Sequence, residues 1–315
     1  MIVILHENKD WIEPFESALK EINASYQLWY IPEIDIDFNT APCDAIYYNR
    51  MSASSHTRGH RYDPEFTVAI LEWLKRHERA VVNGPRALDL EISKLRQYQE
   101  LEKFNIKTPL TYASTNKDLL IKNAEKIGFP LISKHNRAGK GLGVYKFNSS
   151  KELESFYAKE DFESSIDGIN LLQAYIQAPE PFITRMEFIG GKFFYAVQVD
   201  TSKGFELCPA DECQIESNCP TNNVSKFKIL KDFSMPNIEV YENFLAANDI
   251  GISGIEFILD EQGQPWTYDV NVNTNYNSEA EANAGKFAYK EVIRYLASLQ
   301  ESSRIKSLQK EKVFK

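Results

Sequence analysis

The chain has 315 residues, and 36 Lys and Arg against 45 Asp and Glu give it a net charge of −9. That length excludes a mini-protein and fits two domains, or one large composite domain, at ~100–200 residues each, and 43% hydrophobic with 26% charged residues exclude wholesale disorder. Four Cys exclude a disulfide scaffold, and the start MIVILHENKDW lacks the basic and long apolar runs of a signal peptide.

No apolar stretch approaches the ~18–20 residues of a membrane span, so a cytoplasmic, soluble chain is expected. The acidic balance argues against nucleic acid or anionic membranes as partners. Apolar runs at Ile2–Leu5, Tyr26–Ile31, Ala45–Tyr48 and Ala80–Val82 alternate with helical spacing at Trp11–Asn23 and Pro64–His77. This alternation predicts a small α/β unit over residues 1–90 with a mainly parallel sheet, ended by the turn signal Asn83-Gly84-Pro85. One helix is expected over Leu88–Phe104, and Ile106–Pro109 opens a new segment. From Phe129 the pattern becomes α+β: strands at Phe129–Lys134, Val144–Phe147, Phe182–Ile189, Phe193–Val199, Ile252–Leu259 and Trp266–Val272. Gly190-Gly191 marks a tight hairpin between two of them. Helical spacing returns over Ser278–Leu299, and the polar last dozen residues are expected to fray.

The richest stretch is Gly254–Asn273. If Glu261–Gln264 forms a four-residue turn, Asp260 pairs with Pro265, Glu256 faces Asp269 and Gly254 faces Asn271. Period two then puts Glu256, Asp269 and Asn271 on one face, with Ile255, Val270, Phe257 and Tyr268 on the other. Directly opposed carboxylates destabilise a sheet unless neutralised, and two carboxylates plus an amide oxygen suit hard Mg²⁺. A solvated polar strand is the bland alternative.

Phe129–Lys134 runs into His135-Asn-Arg-Ala-Gly-Lys-Gly-Leu-Gly143. Gly139, Gly141 and Gly143 let backbone N–H groups approach an anion, and Lys134, Arg137 and Lys140 add positive charge. The spacing is not that of a Walker P-loop, because no G-K-[ST] and no following helix are present. Lys94 lies on the preceding helix. Arg185, mid-strand, needs an anionic partner if covered, either Glu187 or a substrate phosphate.

Lys94, Lys134, Gly139–Gly143, Gln173-Ala-Tyr-Ile176, Arg185, Glu256 and Asp269-Val-Asn271 follow one another in the order of the ATP-grasp superfamily. The chain most resembles its RimK-like carboxylate-amine ligases, over about residues 80–280. That resemblance implies a pre-ATP-grasp domain at 1–90 on the substrate side. The ATP-grasp domain would span 91–315, with a small lobe at about 119–172. It further implies that Lys94 and Lys134 contact ATP phosphates under the glycine loop. The adenine would meet the backbone of Ala174, Tyr175 and Ile176 after Gln173, and Glu180 would hold the ribose. Glu256, Asp269 and Asn271 would bind two Mg²⁺, and Arg185 would act in catalysis. The family often has Glu where Asp269 stands, and Val-Asn-Thr-Asn follows Asn271 in place of a run with Pro and Gly.

The implied activity is ligation of a carboxylate to an amine through an acyl phosphate. A kinase of the same fold and a non-catalytic ATP-binding module are the alternatives. Arg50–Arg61, rich in cations and hydroxyls, is expected to meet an anionic substrate through Arg50, Ser52 and Arg58. Its His56 and His60 lack the Glu of a zinc helix. Asn273, Asp211 and Glu212 are candidate substrate contacts, the latter two for an amine. Cys208, Cys213 and Cys219 read as reduced thiols without C-x-x-C spacing. A homodimer is the default assembly.

Overall fold

A computed structural model describes residues 1–139, 141, 143–202, 204 and 226–313, with side chains described only as far as residue 302. Lys140, Asp211, Glu212, Cys208, Cys213 and Cys219 lie outside the described residues. Thirteen strands and nine α-helices are assigned among the described ones.

The N-terminal unit is a four-stranded parallel sheet in the order β2 (Tyr26–Tyr30), β1 (Ile2–His6), β3 (Ile46–Arg50), β4 (Ala80–Val82). β1 is central and buried along its whole length, as expected of a strand covered on both faces. The helices α1 (Glu13–Glu21) and α2 (Asp63–Arg76) belong to this unit, and each starts with a Pro in its first turn, where no donor is lost.

The expected Leu88–Phe104 helix is two helices, α3 (Pro85–Glu91) and α4 (Lys94–Lys103), broken at Ile92-Ser93. The break has a local cause. The side chain of Asn136, on another segment, accepts hydrogen bonds from Leu95 N (3.0 Å) and Ser93 Oγ (3.3 Å), and so takes over the start of α4. Ile106–Pro109 carries no element of its own.

A second sheet has the order β5 (Thr111–Ser114), β8 (Asn170–Ala174), β6 (Leu131–His135), β7 (Tyr145–Phe147), all antiparallel. Helices α5 (Lys117–Ile127) and α6 (Ser150–Tyr157) cover it through Leu120, Ala124, Leu153 and Tyr157. The third sheet is β11 (Phe227–Leu230), β10 (Lys192–Asp200), β9 (Phe182–Ile189), β12 (Ile252–Leu259), β13 (Pro265–Asn271). The β9–β10 turn is Gly190-Gly191, both at positive φ of 64° and 70°, which only glycine adopts readily.

α7 (Ile238–Ala247) packs Phe244 and Leu245 on this sheet. Beyond it, the expected Ser278–Leu299 helix is α8 (Ser278–Ala284) and α9 (Ala288–Val313), separated by Gly285 at φ 65°. α9 continues to Val313, into the last dozen residues that the sequence reading expects to fray.

The N-terminal unit shares one apolar core with the third sheet and α9: Ile2, Ile4 and Tyr48 lie in a cluster with Tyr195, Ile252, Val292 and Leu296. A polar knot reinforces the junction. Asn83, fully buried, donates to the carbonyls of Ile252 and Val272 (both 2.9 Å) and accepts from the amides of Gly251 (2.9 Å) and Ile252 (3.1 Å).

Candidate active site

Three adjacent strands of the third sheet carry a row of charge. Arg185 on β9 pairs across to Glu256 on β12, and Glu256 pairs across to Asp269 on β13. The next row is Glu187, Gly254 and Asn271. The expected pairing of residues 254–256 with 271–269 is therefore what forms.

Beyond Glu256 the expectation fails by one residue. Phe257 pairs with Thr267, not Tyr268, and Leu259 with Pro265, so the loop 260–264 has five residues and Tyr268 is the extra residue of a bulge. Asp260 organises the longer loop by accepting from Gln262 N, Gln264 N and Trp266 Nε1. Thr267 takes the core position beside Phe257 and bonds the Tyr241 hydroxyl (2.9 Å). Tyr268, expected on the apolar face, instead joins Asp269 in lining the cleft.

The Arg185 guanidinium lies across Gly254, where a Cβ would stand 2.5 Å from Nε. It donates to Glu187 (2.6 Å), Glu256 (3.0 Å) and the Thr274 hydroxyl, which itself donates to Glu187 (2.9 Å). Glu187 thus partners Arg185, and Glu256 does so as well. Burial raises the Glu256 carboxyl above its ordinary range, Asp269 raises it further, and Arg185 partly opposes both.

Lys94, the first residue of α4, reaches Asp269 (2.9 Å) and the Ala138 carbonyl (3.3 Å). Lys134 on β6 is buried between the rings of Tyr98 (5.2 Å) and Tyr268 (5.7 Å). Burial and the neighbouring Lys94 draw its ammonium down from 10.5 to about 7, against Asp269 and Glu256. Tyr98 donates to the Tyr268 carbonyl (3.0 Å), and the Tyr268 hydroxyl bonds Glu256.

Lys94, Lys134, Arg185, Glu256, Tyr268 and Asp269 line one cavity of about 520 Å³ between the three sheets. Gly139 and Gly141 of the glycine loop border it, and a Cβ on Gly139 would lie 3.4 Å from Ser54 Cβ of the N-terminal unit. Gly143, at φ 72°, packs against the His135 ring and does not line it. Gln173, Ala174, Tyr175 and Ile176 form an apolar slot with Ile132, Ile183 and Ile258, and exposed Glu180 stands at its edge. The Ala174 and Tyr175 amides already donate to the carbonyls of Leu110 (2.8 Å) and Pro130 (3.3 Å), so neither is available to a base. Asn271 and Asn273 lie on the same wall as Asp269.

The loop expected to meet an anion is placed differently. Ser52 lines the cavity, but Arg50 and Arg58 do not. Arg50 is buried on Phe15 (4.2 Å) and donates to the Thr274 carbonyl (3.0 Å) and Asn275 Oδ1 (2.8 Å). Arg58 pairs with buried Glu7 (2.5 Å), which also meets His60 (3.1 Å). The cations of this loop are engaged within the chain, Arg58 by Glu7, Arg61 by Glu65 and Arg50 by neutral oxygens and the Phe15 ring.

Four participants carried no signal in the sequence. Glu91, at the end of α3, accepts from the amides of Val272 (2.7 Å), Asn273 (3.4 Å) and Ala53 (3.2 Å). Asn136, Thr274 and Trp11 were equally silent. Each is one polar or aromatic residue brought in from far along the chain, and no spacing rule marks it.

The oxygen donors Glu256, Asp269 and Asn271 suit a divalent hard cation, and the raised Glu256 carboxyl is one whose charge Arg185 alone does not balance. Among the described residues no group of three or more His, Cys, Asp and Glu gathers as a metal cluster.

Three sheets around a cleft of lysines and carboxylates define the class: the fold is that of the ATP-grasp superfamily. It matches a RimK domain ATP-grasp protein of Sphaerobacter thermophilus with a TM-score of 0.63, at 13% identity over 93% of this chain and 98% of that one. It matches the ATP-grasp ligase PsnB, complexed with a minimal precursor, with a TM-score of 0.66, at 13% identity over 94% and 98%. PsnB is also seen with Mg and ADP. By sequence, the chain is 33% identical over 197 residues to D-alanine–D-alanine ligase B of Pseudomonas syringae pv. tomato, which is 60% of this chain and 56% of that relative. The chain thus spans little more than half the length of the curated D-alanine–D-alanine ligases it matches. No family model matches it.

Proposed function

We propose that this protein is an ATP-dependent carboxylate-amine ligase that activates its acid as an acyl phosphate. The observation that carries this reading is the row Arg185–Glu256–Asp269 lying in one cavity with Lys94 and Lys134. A carboxylate resists attack because its charge must be overcome, and phosphorylation gives it a leaving group.

ATP lies with its base in the apolar slot beside Tyr175 and Ile176, its ribose toward Glu180 and its phosphates at Lys94, Lys134 and the glycine loop. Glu256, Asp269 and Asn271 would hold Mg²⁺, two ions in this proposal, which would neutralise phosphate charge. Lys94 then exchanges Asp269 for phosphate oxygen, and Lys134, fully charged beside the triphosphate, steadies the transferring group. Arg185 keeps Glu187 as its buried counter-charge and, once Glu256 turns to the cation, directs the nitrogen that now meets Glu256 to the acyl phosphate and to the oxyanion formed when the amine attacks. Residues 1–90 supply the substrate side and 91–315 the nucleotide side.

The test is Glu256→Ala and Asp269→Ala, assayed for ADP formation and for amide by mass. Loss of both products by at least ~10²-fold is expected, and ligation at near-normal rate in both variants overturns the assignment. ADP with a stable phosphorylated product and no amine requirement would make the protein a kinase.

A further inference from the structure

The strand that carries Asp269 and Asn271 stands at the margin of its sheet: among the described residues, β13 has β12 on one side and no strand on the other. A margin strand with unmatched backbone groups is free to twist, and ligands carried on it would shift with it. Here side chains and a loop occupy the open side. Thr267 N donates to the Lys107 carbonyl (2.8 Å), and Tyr98 donates to the Tyr268 carbonyl (3.0 Å). Gln97, 1% exposed, accepts from Val270 N (3.0 Å) and donates to the Val270 carbonyl (2.9 Å), the same donor and acceptor that a neighbouring strand residue would offer. One step further along, Glu91 Oε2 accepts from Val272 N (2.7 Å) and Asn273 N (3.4 Å), while its Oε1 accepts from Ala53 N (3.2 Å) in the N-terminal unit.

Two side chains therefore grip the backbone on either side of Asn271. The Val270 and Val272 side chains are buried in the core, and Asp269 and Asn271, alternating with them, face the cavity. We propose that Glu91 and Gln97 are positioning residues for the cation: they stand in for the absent strand and set the direction in which Asp269 and Asn271 present their oxygens. This rests on the Mg²⁺ assignment within the ligase reading and names the residues that tune that site. Mg²⁺ demands near-ideal octahedral geometry, whereas Ca²⁺ accepts more ligands in flexible arrangements, so loosening β13 penalises Mg²⁺ more than Ca²⁺.

The test uses Glu91→Ala and Gln97→Met in the full chain with a non-hydrolysable ATP analogue. Bound Mn²⁺ is followed by electron paramagnetic resonance while Mg²⁺ or Ca²⁺ is added as competitor. Each variant should bind Mg²⁺ about tenfold or more weakly than the native chain, and the ratio of Mg²⁺ to Ca²⁺ affinity should fall by about fivefold or more. Loss of charge at position 91 alone would weaken both ions alike, and Gln97→Met changes no charge. A partly unfolded variant would bind fewer ions at unchanged affinity. Native-state amide exchange carries the test where a variant does not fold: Val270 and Val272 should exchange as slowly as the interstrand amides of β12. An unchanged ratio in folded variants, or exchange at Val270 and Val272 as fast as in exposed loops, overturns the inference and leaves the ligase reading standing. A native chain that holds the nucleotide analogue but neither Mn²⁺ nor Mg²⁺ overturns the metal assignment and the ligase reading with it.

Discussion

Tyr268 touches a residue of each proposed ligand site. Its ring lies beside Lys134 and its hydroxyl bonds Glu256, so the two halves of the side chain serve different partners. Tyr268→Phe should keep the KM for ATP within about twofold and raise the Mg²⁺ concentration needed for half-maximal rate. Tyr268→Leu should raise both, because a desolvated cation–π contact of ~2 kcal/mol is lost as well. Equal effects of the two variants on Mg²⁺ and ATP dependence would argue against this division.

Lys134 adds a proton to the account. With its folded pKa drawn down to about 7, the side chain is mostly neutral at pH 8, and a bound triphosphate restores its charge. Mg²⁺-free ATP should therefore bind with uptake of close to one proton at pH 8 and with almost none at pH 5.5. Titration calorimetry in two buffers of different ionisation enthalpy measures this, and a buffer-independent heat at pH 8 would rule it out. The same depression means that charging the side chain opposes folding: its cost to stability is absent above pH 10.5, grows as the pH falls toward 7 and is full below that.

At the level of the elements, the third sheet was the most legible part of the molecule. β9 and β12 match their expected bounds, and Glu256 pairs with Asp269 as expected, although the four-residue turn used to reckon that pairing gives way to a longer loop and a bulge. Legibility ends where a tertiary partner overrides local pattern. β8, Asn170–Ala174, buries its first four residues and shows no alternation, and the sequence reading expects no strand there. α3 and α4 read as one helix because nothing nearby in sequence reveals that Asn136 intercepts the start of the second. The cation-rich loop misled for a related reason: composition counts charges, but only the fold reveals that Glu7 and Glu65 stand beside them. Gly254 shows how tightly the sheet is tuned. Gly254→Ala would place a methyl 2.5 Å from a guanidinium fixed by three partners. It should cost ~1–3 kcal/mol in stability and lower turnover by about 10²-fold, read by chemical unfolding and steady-state rate. A variant of wild-type rate would show that Arg185 is dispensable where it lies.

Across the whole molecule, the N-terminal unit and the third sheet share one apolar core, and Asn83 ties them at four backbone groups. Asn83→Ala removes buried hydrogen bonds and leaves alanine at a φ of 60°. A loss of ~3 kcal/mol or more is expected, measured by urea denaturation, with both units unfolding in one transition in the native chain. Two separate transitions in the native chain would contradict that unity.

Arg50 carries a consequence for biosynthesis. It is made early, yet the carbonyl and amide that satisfy it belong to Thr274 and Asn275, 224 and 225 residues later. A nascent chain carries this cation unmatched until that stretch has left the ribosome, and the same stretch follows directly on the proposed Mg²⁺ ligands. Completion of the N-terminal unit and maturation of the catalytic cleft are thus one late event, and an interrupted translation product would gain neither.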